Sequence, residues 1–329
     1  KAGHDHHLSR TNSRGRGLAA KRGRHAVKSI ALKVGLVVAS VGIALLILEL
    51  VLGRGTPREG APFFEDPPDG LDVPWVLKAG SDEVFEGHYV TIAPTRVRIS
   101  DQGVREDREY AVPKPAETRR ILMLGDSFVF GSGVEAAETF SDRFEVERGD
   151  LEVINMGVPG YNSGHAVALL EARGISFEPD GVVLFLSDND FYNQGKERLR
   201  EREAQGERWA AERYVEGRVK ARNKADGQWR RDPAVALGAI ADALKRLREL
   251  SEKHGFKVQI FMLFPHPLER EITAMGGVTR LADAAYLKDM KALQIPKDLH
   301  PNAAGHARLA RLLIDALPGW PADDAASKK

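Results

Sequence analysis

Ser127, His300 and Asp298 are the residue types that nucleophilic acyl transfer needs. A serine hydroxyl is almost wholly protonated at neutral pH and requires a base. An imidazole, with an ordinary pKa of about 6.5, is suited to take that proton. Asp298 stands two residues before His300 and can fix the ring tautomer and stabilise the imidazolium that forms. The developing oxyanion then needs donors. The backbone N–H of Ser127, the backbone N–H of Gly160 and the side-chain amide of Asn189 can supply them from three separate loops.

These residues are spread over 174 positions, so the fold must gather them. From Arg119 onward, short apolar runs alternate with helical segments, the pattern of a parallel sheet covered on both faces. The expected strands are RILMLG (120–125), LEVINMG (151–157), GVVLFLS (181–187) and KVQIFMLF (257–264). Helices are expected near 136–148, 163–174, 234–254 and 303–317. In such a sheet the reactive crevice opens beyond the carboxyl ends of the strands. Gly125-Asp126-Ser127, Asn155 to Asn162 and Ser187-Asp188-Asn189-Asp190 all leave strands there, and Asp298 to Asn302 sits just before the last helix.

Over Arg119 to about Leu317 the chain resembles the SGNH, or GDSL-like, esterases and acyl-hydrolases. GDSFVFGSGV is similar to the first family block and carries Ser127 as nucleophile. INMGVPGYNS resembles the second, making Gly160 the oxyanion glycine with Gly157 as the fallback. Ser187-Asp188-Asn189-Asp190 resembles the third, G-x-N-D, with serine in place of the glycine. The last block resembles D-x-x-H followed by Pro-Asn, but Lys297 occupies the acid position and Asp298 lies one residue nearer His300. The resemblance implies a three-layer α/β/α, flavodoxin-like parallel sheet. Asp126 is read as a structural residue holding its loop.

Composition narrows the alternatives. The absence of cysteine excludes thiol nucleophiles, thiolate metal sites and disulfides. Neither a dinucleotide glycine loop nor a G-x-x-x-x-G-K-[ST] phosphate loop is present, and the chemistry calls for no cofactor. Residues 1–33 hold nine Lys/Arg against Asp5, leaving 39 basic and 46 acidic residues afterwards, a poor surface for nucleic acid. His4, Asp5, His6 and His7 are read as a terminal tail rather than a metal site. His306 is expected to pack near the site. His266 is either a pocket-lining or an ordinary loop histidine.

Residues 34–52, VGLVVASVGIALLILELVL, have Glu49 as their only ionisable side chain and would span roughly 28 Å as a helix. They are read as a transmembrane anchor rather than a cleaved signal or a core helix, with the basic 1–33 tail cytoplasmic and the rest periplasmic on the inner membrane. The expected organisation continues with a linker and small accessory lobe over 53–115, a catalytic domain over 116–319 and a tail over 320–329. The charged insertion 194–231 is a solvated helix, or a mobile lid or partner-binding arm over the site. The resulting expectation is a membrane-anchored serine esterase that removes a small O-acyl group, such as acetyl. Its alternatives are an O-acyltransferase acting on a cell-envelope glycan and a silent, membrane-tethered carbohydrate-binding module.

Overall fold

Four apolar runs become the parallel strands of one sheet. In the computed structural model, which describes residues 63–85, 94–192, 233–296 and 298–321, these are β5 (Arg120–Gly125), β6 (Glu152–Gly157), β7 (Gly181–Leu186) and β8 (Lys257–Met262). A short strand, β9 (Val278–Arg280), completes the order β6-β5-β7-β8-β9, all parallel. The residues of β5 and β7 are buried throughout, as a sheet covered on both faces requires. β9 has only three residues, too few for a strand pattern to stand out in the sequence.

Alternation along β5 divides the core in two. Ile121 and Met123 join Val153, Val183, Phe185 and Phe261 on one face. Helices α2 (Phe140–Arg148), α7 (Ala284–Leu293) and α8 (Ala303–Ala316) cover it. Leu122 and Leu124 belong to the other face, covered by α3 (Ser163–Ala172) and α5 (Pro233–His254). On α5, Ile240, Ala243, Leu244, Leu247 and Leu250 are buried at helical spacing, while Asp242, Lys245, Arg246, Arg248 and Glu249 face solvent. The result is a three-layer α/β/α architecture. Short helices α1 (Ser127–Phe130), α4 (Asn189–Tyr192) and α6 (Glu269–Ala274) follow β5, β7 and β8.

The chain leaves β5 for β6 on one side, then crosses to β7 on the other. Strand order therefore switches at β5, and a crevice opens above its carboxyl end. The preceding segment forms two antiparallel ribbons, β1 (Phe64–Glu65) with β2 (Val76–Leu77) and β3 (Asp82–Phe85) with β4 (Thr95–Arg98). Phe63, Val76, Leu77, Val97 and Ile99 bury themselves in the same core as Leu122 and Leu124, so this segment packs on the sheet.

The expectation of an N-terminal transmembrane helix is corrected. Among the described residues no helix is long and apolar enough to cross a membrane; α5, with 22 residues, carries a full charged face. The inner-membrane, periplasmic placement and the membrane contact built on that helix fall with it. The segment 34–52 itself, the tail 1–33 with His4, Asp5, His6 and His7, the insertion 194–231, Lys297 and residues 322–329 lie outside the described residues.

Candidate active site

The turn that presents Ser127 is set by its neighbours. Gly125 ends β5 where an added Cβ would lie 2.5 Å from Val129 Cγ2, so the chain can fold back into α1 only without a side chain there. Asp126, buried, caps α1 by accepting the N–H of Phe128 at 2.9 Å. Val129 and Phe130 are buried beneath, leaving Ser127 partly exposed. The far end of α1 is held by the fully buried Arg105. Its guanidinium donates to the carbonyls of Phe130, Gly131 and Val134 and lies 4.4 Å from the Phe130 ring centroid. Burial lowers the Arg105 pKa to about 10, leaving it a cation at neutral pH.

The loop carrying His300 is pinned at both ends to the end of α7. Ile295 N–H donates to His300 O at 2.9 Å and Asn302 N–H to Leu293 O at 2.9 Å. The Asn302 amide donates to Ala292 O and Gln294 O, while its oxygen caps α8 at Gly305 N. Gly305 allows this approach, since a Cβ there would meet Leu293 O at 2.2 Å. So held, the imidazole places Nε2 2.7 Å from Ser127 Oγ and Nδ1 2.6 Å from Asp298 Oδ1. Asp298 Oδ1 also accepts the backbone N–H of His300 at 2.8 Å. A carboxylate on Nδ1 assigns the ring proton there and leaves the Nε2 lone pair facing the hydroxyl. Burial works to raise the Asp298 pKa. The His300 ring and the backbone N–H groups of His300 and Leu299 outweigh it, and the carboxyl lies below its usual range. Phe128 packs 5.0 Å from the imidazole centroid.

The two candidate oxyanion glycines differ in kind. Gly157 ends β6, and its N–H donates to Asn155 Oδ1 at 3.0 Å. A Cβ there would lie 2.2 Å from Phe130 N, so Gly157 is where β6 touches the backbone of α1. Gly160 sits at φ +84° in a turn closed by Tyr161 N–H to Val158 O at 3.1 Å. Pro159 followed by a left-handed glycine makes a type II turn. Asn189 begins α4, just beyond β7. Ser187, where the family pattern has glycine, donates its hydroxyl to Asp126 Oδ2. Asp190, fully buried, accepts Ser187 N–H at 2.9 Å and Ser163 N–H at 2.6 Å. Burial pushes its pKa up to about 6, against the pull of those two backbone bonds. One chain of hydrogen bonds thus ties the ends of β5 and β7 to the start of α3.

The model of the GDSL-like lipase/acylhydrolase family matches residues 123–308. The chain belongs to that family. The match covers more than half of the chain and takes in Ser127, Gly160, Asn189, Asp298 and His300, whereas Trp75 and Arg105 precede it. No curated protein matches the chain. Among solved structures it is similar to a lipase/acylhydrolase from Enterococcus faecalis (15% identity over 61% of this chain and 96% of that one, TM-score 0.41). It is also similar to a psychrotrophic esterase from Pseudoalteromonas sp. (18%, 61% and 98%, TM-score 0.41). A third similar structure is a protein of the G-D-S-L lipolytic family from Veillonella parvula (15%, 60% and 97%, TM-score 0.40).

Other histidines of this GDSL-like chain have partners of their own. His306 is fully buried on α8, accepts Phe140 N–H at Nδ1 (3.2 Å) and stacks on the Phe140 ring. His266 stacks on Phe191 with centroids 3.6 Å apart and accepts Leu268 N–H. A cavity of about 290 Å³ is lined by Asp72, Asn162, His165, Asp190 and Ile240, among others. Neither Ser127 nor His300 is among its lining residues; Asn162 and Ser163, which follow the Gly160 turn, are. The sequence had signalled neither Trp75 nor Arg105, because each acts on backbone atoms far along the chain.

Proposed function

We propose that this GDSL-like protein is a serine esterase cleaving small O-acyl esters. Ser127 Oγ attacks the ester carbonyl carbon while His300 Nε2 takes its proton, and Asp298 steadies the imidazolium. The carbonyl oxygen, now an anion, accepts hydrogen bonds from Ser127 N–H, Gly160 N–H and the Asn189 amide. Collapse of this intermediate breaks the bond to the alkoxy oxygen, which leaves as alcohol with the proton from His300. Water then attacks the acyl-serine, again giving its proton to His300, and the carboxylic acid departs with Ser127 restored.

The observation that carries the reading is the unbroken relay from Asp298 through His300 to Ser127, at 2.6 Å and 2.7 Å. A buried histidine or an N-capping serine would serve folding alone, but these two side chains stand partly exposed beyond the sheet's carboxyl edge. Aromatic rings, Trp75 against Gly160 and Phe128 against His300, favour a small acyl group. The test is hydrolysis of p-nitrophenyl acetate, butyrate and octanoate by the wild type and Ser127→Ala, with fluorophosphonate labelling followed by mass spectrometry. Acetate should be the best substrate, and the variant should lose both turnover and label. Ordinary turnover by Ser127→Ala would overturn the serine mechanism.

A further inference from the structure

The type II turn over Val158–Tyr161 has one peptide unit at its centre: the carbonyl of Pro159 and the N–H of Gly160. In a trans peptide these two groups point in opposite directions in one plane. Whatever holds the carbonyl therefore aims the N–H. Here the holder is Trp75, whose indole Nε1–H donates to Pro159 O at 3.0 Å. Two further contacts bracket the same turn. Tyr161 OH donates back to the carbonyl of Trp75, and the indole lies against Gly160 so closely that a Cβ there would sit 2.8 Å from Trp75 Cζ2.

We infer that Trp75, from the segment preceding the family-matched region, is a positioning residue for the oxyanion hole, setting the direction of the Gly160 N–H through the Pro159 carbonyl. The inference rests on the proposed serine mechanism. A Pro-Gly turn can exchange type II for type I by rotating its central peptide, which turns the N–H by roughly half a revolution. The indole bond is lost on that rotation, so it selects the rotamer of the peptide with its N–H directed away from Trp75. Donation into the carbonyl also polarises the amide and strengthens its N–H as a donor. The oxyanion forms only in the transition state, so this device acts on kcat rather than on substrate affinity.

Trp75→Phe keeps an aromatic ring and removes the N–H; Tyr161→Phe removes the return bond and leaves Trp75 intact. Both are measured beside Ser127→Ala for p-nitrophenyl acetate hydrolysis, and for inhibition by an alkylboronic acid, whose tetrahedral adduct with serine mimics the oxyanion. The expected result for Trp75→Phe is a fall in kcat of about tenfold with KM nearly unchanged, and a matching loss of boronic-acid affinity. Tyr161→Phe should shift both in the same direction by less. A merely structural Trp75 would lower the amount of folded enzyme without separating kcat from KM or weakening boronate binding to the folded fraction. Wild-type kcat and boronate affinity in both variants, with Ser127→Ala inert, would overturn the role of Trp75 alone. Turnover by Ser127→Ala would overturn the serine mechanism and this inference together.

Discussion

The hydroxyl of Ser187 donates to the buried carboxylate of Asp126, joining the end of β7 to the turn that presents Ser127. The family pattern has glycine at this position, which offers no such bond. Ser187→Ala withdraws a donor from a carboxylate that is only 3% exposed while leaving the backbone bond from Ser187 to Asp190 in place. The expected cost is about 1–3 kcal/mol of stability, read as a lower denaturant midpoint, together with a reduced kcat as the Ser127 turn loosens. An unchanged midpoint would show that the hydroxyl contributes nothing to holding the two strand ends together.

Asp298 meets both the ring and the backbone N–H of His300 through one oxygen. The shorter D-x-H spacing thus still brings a carboxylate oxygen to the ring, because the residue curls back over its own loop. Asp298→Asn would place an amide where only an acceptor orients the ring correctly, favouring the wrong tautomer. The expected loss in kcat is about 10³–10⁴-fold, with fluorophosphonate labelling slowed in parallel. A loss below tenfold would mean that another group orients His300.

Much of the candidate site's geometry was legible because its residues coincide with punctuation of the chain. Ser127 follows an apolar run with only Asp126 between, the Pro159-Gly160 pair marks a turn, and Asp298 and His300 precede a helix capped by Asn302. The helix over 284–293 and the strand over 278–280 were not, since β9 is too short and α7 mixes exposed polar and apolar residues. Trp75 lies in a Pro/Gly-rich stretch that reads as a tether, and its partner is 84 residues away. Arg105 reads as one charge among many, although it is 2% exposed and bonded to three carbonyls. No local pattern encodes a bond from a side chain to a distant backbone atom. The apolar run 34–52 was read as a membrane span from hydropathy alone; it lies outside the described residues, and among those no helix is long and apolar enough to cross a membrane.

His306 provides a pH test of the core behind the site. Its pKa is lowered to about 3, chiefly by burial and further by Arg105 and His300, against about 6.5 in an unfolded chain. The unfolded state thus binds the proton first on acidification, and the native state loses stability as pH falls from 6.5 towards 3. At pH 5 the loss from this residue is about 2 kcal/mol relative to pH 8. Asp142 and Asp190, both raised to about 6 by burial, act in the opposite sense between about 4 and 6. Comparison of urea unfolding for the wild type and His306→Asn isolates the histidine. The variant, which keeps an acceptor for Phe140 N–H, should be less acid-sensitive by about that amount. Equal acid sensitivity would show that His306 gains its proton in the folded state.

Gly157 and Gly160 separate packing from chemistry on one loop. Alanine at 157 would drive a methyl to 2.2 Å from Phe130 N and 2.7 Å from Val129 C, both backbone atoms of the helix that carries Ser127. Neither strand nor helix can yield without disturbing the core, so Gly157→Ala should cost about 3–5 kcal/mol and lose activity with the folded protein. Alanine at 160 meets a side chain instead, the edge of Trp75 at 2.8 Å, and takes on left-handed backbone strain of about 1 kcal/mol. Gly160→Ala should therefore stay folded yet lose kcat, because relieving either conflict turns the central peptide of its turn. Denaturant midpoints and kcat for the two variants decide the point. A stable, active Gly157→Ala would show that β6 and α1 are not in backbone contact, and a fully active Gly160→Ala would remove that turn from the oxyanion hole.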